Sequence, residues 1–419
     1  MTDFDKVIDR RTTNSAKWTY YPEDVLPLWV ADMDFPAPAP ILDALRAAVD
    51  HGVFGYELPS AALIESVVTR MKKLYNWVIR PESVVAIPGL VSGFFAAGGA
   101  LCRPGEGYLI QPPVYMPFND LQKHLGIVRQ EAQLVARTSG SRLSYEIDWS
   151  GFRSAFHVGG SRTRMFLLCN PHNPTGQVYT PDELTRMAEI CQQQNTVIVS
   201  DEIHSELILG PARAGAAGTG ERSEAQSKGR LKGHTPIASL SPEIAENTIT
   251  LVSPSKTFNI AGLFCGFAII PSAKLRAQYR LQLERMTLHP NSLGQISAQV
   301  AFSGVCDDWL VELNTYLTAN RDFAVQYIER EMPEIPVTLP DATYMLWLDC
   351  NPLVVSGIIP SEFSSPFEFF LQKAKVAFND GLPFGSGGKN FVRLNFACPR
   401  SVLEAALERM KKALGDLAI

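Results

Sequence analysis

From about Arg80 to Pro271 the chain repeats one pattern: short apolar runs rich in β-branched and aromatic residues alternate with stretches of helical period. The runs Val84 to Ile87, Tyr108 to Ile110, Met165 to Leu168, Thr196 to Ser200, Thr248 to Val252 and Phe267 to Ile270 are too short for helices and apolar on both faces. Strands of that kind belong to a mainly parallel sheet covered on both sides. Leu90 to Cys102 and Pro181 to Gln194 read as covering helices, the second with Thr180 as a cap and Pro181 in its first position. The pattern therefore predicts a large α/β domain. After it, Asn291 to Met332 reads as largely helical, and Val337 to Leu339, Tyr344 to Leu348 and Val392 to Phe396 as strands before a last helix from about Ser401. That order predicts a smaller α+β domain.

Charge and cysteine usage limit the partners. With 38 Lys+Arg against 43 Asp+Glu the net charge is −5, which supplies no basic field for nucleic acid or an anionic lipid surface. A small-molecule partner is expected. Seven cysteines, an odd number and none in a CxxC pair, support neither a disulfide framework nor a structural zinc site, so no metal is expected. Thr257 to Ala273 is uncharged, but it is short of the ~20 apolar residues of a spanning helix and holds Asn259, Gly262, Gly266 and Pro271. A buried loop and strand fit it better, and the chain is expected to be cytoplasmic. Gly210 to Gly233 has six Gly, five Arg or Lys and no Val, Ile or aromatic residue. Such a stretch buries too little surface to order itself and is expected to be a flexible surface insertion.

In an open α/β sheet, ligands sit beyond the carboxyl ends of the strands. The first run is followed by Pro88-Gly89-Leu90-Val91-Ser92-Gly93 and a helix, whose opening amides could hold a phosphate. The second is followed by Gln111-Pro112-Pro113-Val114-Tyr115, the third by Cys169-Asn170-Pro171-His172-Asn173-Pro174-Thr175-Gly176, the fourth by Asp201-Glu202-Ile203-His204, and the fifth by Ser253-Pro254-Ser255-Lys256-Thr257. Taken singly, Asp201 also reads as a helix cap, Asn173 as a turn residue, Lys256 as a solvated lysine and Tyr115 as core. Together they offer a phosphate cradle, a ring, an amide, a carboxylate and an amine. Pyridoxal phosphate needs this set: its phosphate, flat ring, phenolic oxygen, basic nitrogen and aldehyde each call for one of them.

The string Ser253 to Leu263 resembles the Schiff-base segment of fold-type I pyridoxal-phosphate enzymes, the class I/II aminotransferase superfamily, and Cys169 to Gly176 resembles that superfamily's Asn-Pro-x-Asn-Pro-Thr-Gly segment. Pro27 to Phe35, His51 to Tyr56, Ser200 to His204 and Phe391 to Arg400 resemble the MalY/PatB-type cystathionine beta-lyases. The resemblance runs from about Phe4 to Ala413. It implies a fold-type I architecture: a large domain, 46–285, around a mainly parallel seven-stranded sheet, a small α+β domain, 286–419, and an N-terminal segment, 1–45, associated with the small domain. It implies Lys256 as the Schiff-base lysine, Asp201 against the pyridine nitrogen, Asn173 on the phenolic oxygen and Tyr115 stacked on the ring. Ser253 and the amides of Leu90 and Val91 would hold the phosphate, and Tyr56 would reach the phosphate of a neighbouring subunit, which implies a homodimer with shared sites. Arg393 would clamp the substrate carboxylate, with Arg400 as the alternative.

Two positions depart from the usual aminotransferase pattern: His204 stands where many have a tyrosine against the phenolic oxygen, and Phe264 where many have a phosphate-binding arginine. Phe264 reads equally as core packing. The implied activity is a carbon-sulfur β-lyase acting on L-cystathionine or another L-cysteine S-conjugate, with an L-amino-acid aminotransferase as the alternative. A protein-binding regulator is a third reading, favoured only by the insertion.

Overall fold

The computed structural model describes residues 2–211 and 233–415; of the insertion, 212–232 lie outside the described residues. The N-terminal arm carries a two-residue strand, β1 (Leu26–Pro27). The seven-stranded sheet is built from β2 (Val84–Ile87), β3 (Gly107–Ile110) and β4 (Val128–Glu131), and later from β7 (Thr163–Cys169), β8 (Val197–Asp201), β9 (Thr248–Val252) and β10 (Gly266–Ile269). Its order is β2-β10-β9-β8-β7-β3-β4, and only β10 runs against its neighbours. β8 and β9 are buried along nearly their whole length because helices cover both faces. Helix Leu90–Leu101 packs on one face beside Ala273–Arg285, and Pro181–Gln193, closed by the Thr180/Glu183 capping box, on the other.

Between β4 and β7 lies a hairpin, β5 (Val135–Ser139) and β6 (Arg142–Glu146). It does not join the large sheet. β6 pairs with β11 (Val337–Thr338), which continues into β12 (Met345–Asp349), then β15 (Phe391–Asn395) and β14 (Asn379–Asp380), a six-stranded sheet in the order β14-β15-β12-β11-β6-β5. β13 (Val376–Ala377) pairs with β1 of the arm. β6 alternates exposed and buried residues, the signature of a sheet with one solvated face, and β5 is exposed along nearly all its length, so neither is a doubly apolar run.

Helices Ser292–Phe302 and Asp307–Glu331 follow the large sheet, and Arg400–Gly415 closes the described chain. The arm is pinned to the loop after β9 by one side chain: Asn259 donates to the carbonyls of Met33 and Phe35, at 2.9 and 2.8 Å, and accepts from the Met33 amide at 3.0 Å. All seven cysteines are unpaired and buried. Among the described residues no helix is long and apolar enough to cross a membrane.

Candidate active site

The segments that follow β7 and β9 meet the N-terminal arm and β15. Lys256, four residues past β9, extends its Nζ 2.6 Å from the Ala31 carbonyl of the arm. Burial, reinforced by the Arg393 charge and opposed by Asp32 and Asp201, brings its pKa down to about 8. The neutral amine, the form that attacks a carbonyl, is therefore accessible near neutrality.

Asp201 ends β8 and is buried; its Oδ1 accepts from the Ile203 amide at 3.1 Å. Burial pushes its pKa up to about 7 against that bond, with the Glu202 charge adding to the rise and Lys256 opposing it. A buried carboxylate of this kind is stabilised by a cation, which a protonated ring nitrogen would provide. Asn173 hangs on the turn after β7. Gly176 closes that turn at φ +72°, where a β-carbon would meet Pro340 at 2.2 Å, and its carbonyl accepts from the amides of Asp341 and Ala342 at 2.9 and 3.1 Å. The turn is thus locked against the segment leading into β12.

Arg393, in the middle of β15, crosses to this turn: Nη1 donates to Asn173 Oδ1 at 2.9 Å, while Nη2 donates to Asn379 Oδ1 at 2.5 Å and to the Trp29 carbonyl at 3.2 Å. Its Nε is buried without a partner. Burial lowers its pKa to about 10, opposed by Tyr115 and Tyr344, so it stays cationic at physiological pH. Arg400 is elsewhere, bonded to Asn320 at 2.8 Å and set over the Phe323 ring.

Tyr115 is half-buried, and its hydroxyl is held protonated chiefly by burial and then by the Asp201 charge. His204 is buried edge-on to Tyr344, its Nδ1 without a partner; burial, then the Lys256 and Arg393 charges, lower its pKa to about 3, so the imidazole is neutral. Ser253 Oγ lies 2.7 Å from the Cys265 carbonyl and 2.8 Å from Ser255 Oγ. The helix at Leu90 makes its first backbone bond from Gly93 to Gly89, which leaves the amides of Leu90 and Val91 ahead of it as free donors. Tyr56 stands apart, fully exposed within the stretch 51–62, every residue of which is exposed. Phe264 is 62% exposed at φ 47°, which rules out the core-packing reading.

Sequence reasoning missed three contributors. The Ala31 carbonyl accepts from the Tyr344 hydroxyl at 2.9 Å as well as from Lys256. Asn379 completes the grip on Arg393. A backbone carbonyl leaves no side-chain signature, and Tyr344 and Asn379 follow no strand of the large sheet. Pyridoxal phosphate fits the residues present: free amides and a hydroxyl for its phosphate, a half-buried ring, an amide, a buried carboxylate hydrogen-bonded to a backbone amide, and a desolvated amine.

A mainly parallel seven-stranded sheet with this set along its carboxyl ends defines the fold-type I class of pyridoxal-phosphate enzymes. The chain belongs to the aminotransferase class I and II family, whose profile it matches over residues 23–410. It is 35% identical, over 98% of its length and all of the relative's, to the cystathionine beta-lyase PatB of Bacillus subtilis. Among solved structures it resembles a pyridoxal-phosphate-bound putative aminotransferase of Clostridium difficile, with TM-score 0.87 and 34% identity covering 99% of this chain and 100% of that one. It also resembles the pyridoxal-phosphate-bound C-S lyase of Staphylococcus hominis, with TM-score 0.85 and 28% identity over 98% of each chain.

Proposed function

We propose that the chain is a pyridoxal-phosphate-dependent carbon-sulfur β-lyase that cleaves L-cystathionine or a related L-cysteine S-conjugate to a thiol, pyruvate and ammonia. The observation that carries it is the meeting of Lys256, Asp201 and Arg393 in a chain that aligns along 98% of its length with a relative named for this cleavage. Pyridoxal phosphate, when bound, supplies an aldehyde that condenses with amines and a ring that accepts the electron pair left at the substrate's α-carbon.

The chain's residues do the rest. Arg393, whose Nε is buried without a partner, would bind the substrate carboxylate, a pairing suited to a planar fork. Lys256, once free, takes the α-proton and returns a proton to the departing sulfur. Asp201 balances the charge of the ring nitrogen. Asn173, oriented by Arg393 Nη1, would hold the phenolic oxygen beside a neutral His204, Tyr115 would stack on the ring, and Ser253 with the Leu90 and Val91 amides would take the phosphate. Tyr56 serves the neighbouring subunit's phosphate, which makes the enzyme a homodimer with shared sites. A cytoplasmic location belongs to the same proposal. So does the division into 1–45, 46–285 and 286–419, with hairpin β5–β6 assigned to the smaller body's sheet.

The test separates elimination from amino transfer. Incubated with L-cystathionine or an S-alkyl cysteine and no keto acid, the enzyme should release thiol and pyruvate in equal amounts over many turnovers. Turnover only when a keto acid is added, with no thiol from any conjugate, would make it an aminotransferase instead.

A further inference from the structure

Within the Ser200 to His204 string, Glu202 has no part in the chemistry above. It follows Asp201, the last residue of β8, directly. It is 1% exposed. Its Oε1 accepts from the Ser200 hydroxyl at 2.9 Å and the Ile237 amide at 3.3 Å, and its Oε2 pairs with His234 Nε2 at 2.7 Å. Three donors converging on one buried carboxylate make the environment of an anion. His234 is buried in turn, its Nδ1 without a partner and its ring edge-on to Tyr75 at 5.5 Å.

Around Asp201 and Glu202 stand further charged and titratable groups, Tyr115 among them. The buried Arg70 is engaged by Glu206 and Asp307. Tyr75 is held protonated by burial and by the charges of Glu206 and Glu202. Cys169, the cross-strand partner of Asp201, is kept as a thiol by burial and the Asp201 charge. Lys256 is the one group among those acting on Asp201 that carries positive charge. Glu202 is thus a second carboxylate next to the first, and its charge raises the affinity of Asp201 for a proton.

We propose that Glu202 is a positioning residue for the cofactor end of the site: clamped by Ser200, Ile237 and His234, it places a negative charge next to Asp201 and so keeps a proton shared between Asp201 and the ring nitrogen of bound pyridoxal phosphate above neutral pH. The inference rests on the reading that Asp201 faces that nitrogen. The charge of Glu202 supplies the proton affinity; the three donors hold it in place.

The test is cofactor retention by the holoenzyme, measured by equilibrium dialysis from about pH 6 to about pH 9, a window that spans the titrations involved. Relative to wild type at the same pH, Glu202→Gln should release cofactor increasingly as pH rises, by about tenfold more at the top of the range than at the bottom. Glu202→Asp keeps the charge and should follow the wild-type profile. A loss in Glu202→Gln that is the same at every pH would show a structural role and overturn the inference. So would a wild-type profile, or the failure of both Glu202→Gln and Glu202→Ala to fold by far-UV circular dichroism. Asp201→Asn separates the two layers. If it retains cofactor like wild type, the reading of Asp201 fails; if it releases cofactor while Glu202→Gln does not, only the role of Glu202 fails.

Discussion

At Lys256 burial and the Arg393 charge act in the same direction, both favouring the neutral amine, and Asp32 and Asp201 only partly restore the charge. Cofactor capture by the stripped protein should therefore depend on a group of pKa about 8. Its rate, followed by the rise of visible absorbance after mixing, should climb about tenfold per pH unit below that value and level off above it, as the neutral fraction does. Arg393→Gln removes a cation that depresses this pKa, so the inflection should move to higher pH; an unmoved inflection would mean that the two groups do not sense each other. Lys256→Ala should bind no cofactor covalently and lose nearly all turnover. In Arg393→Lys a point charge replaces a fork that bonds Asn173, Asn379 and Trp29 at once. Steady-state kinetics should show kcat/KM down by roughly 10- to 100-fold, the worth of one or two charge-assisted bonds.

Among the elements, the arm depends on Asn259, whose three bonds to Met33 and Phe35 hold the backbone that carries Ala31 to Lys256. Asn259 sits at φ 54°, which asparagine tolerates and a β-carbon otherwise disfavours. Asn259→Gly keeps that φ and should lose about 2–3 kcal/mol in chemical denaturation, three bonds at about 1 kcal/mol each. Asn259→Ala should lose about 1 kcal/mol more from the backbone alone. Equal losses would show that the side-chain bonds alone fix this turn. Six strands of the seven-stranded sheet were legible because each is a run apolar on both faces; the edge strand β4, which carries Arg129, Gln130 and Glu131, was not. β5 and β6 were not: Arg142, Ser144 and Glu146 alternate with buried Leu143 and Tyr145, and nothing in a local pattern tells which distant strand, here β11, will pair with such a hairpin.

Across the whole molecule, the stretch 51–62 leaves Val53, Phe54, Tyr56 and Leu58 exposed at 58% or more, an apolar strip that a single chain does not cover. A symmetric dimer would bury it and carry Tyr56 to the partner's site. Mixing inactive Tyr56→Ala and Lys256→Ala proteins under subunit exchange should then recover up to about a quarter of wild-type activity, because half of the dimers would hold one intact site. Exchange without recovery, with mixed dimers verified by mass, would place Tyr56 outside the partner's site. The sequence by itself determined the strand ends and the residues just past them, because a side chain that leaves an apolar run must emerge at the sheet's carboxyl edge: Lys256, Asp201, Asn173 and Tyr115 were all found that way. What only the tertiary structure decided are the contacts made across long separations. Ala31 lies 225 residues from Lys256, and Arg393 220 from Asn173. Side-chain type and period carry no record of such partners, since the sheet that brings them together forms only when the whole chain has folded.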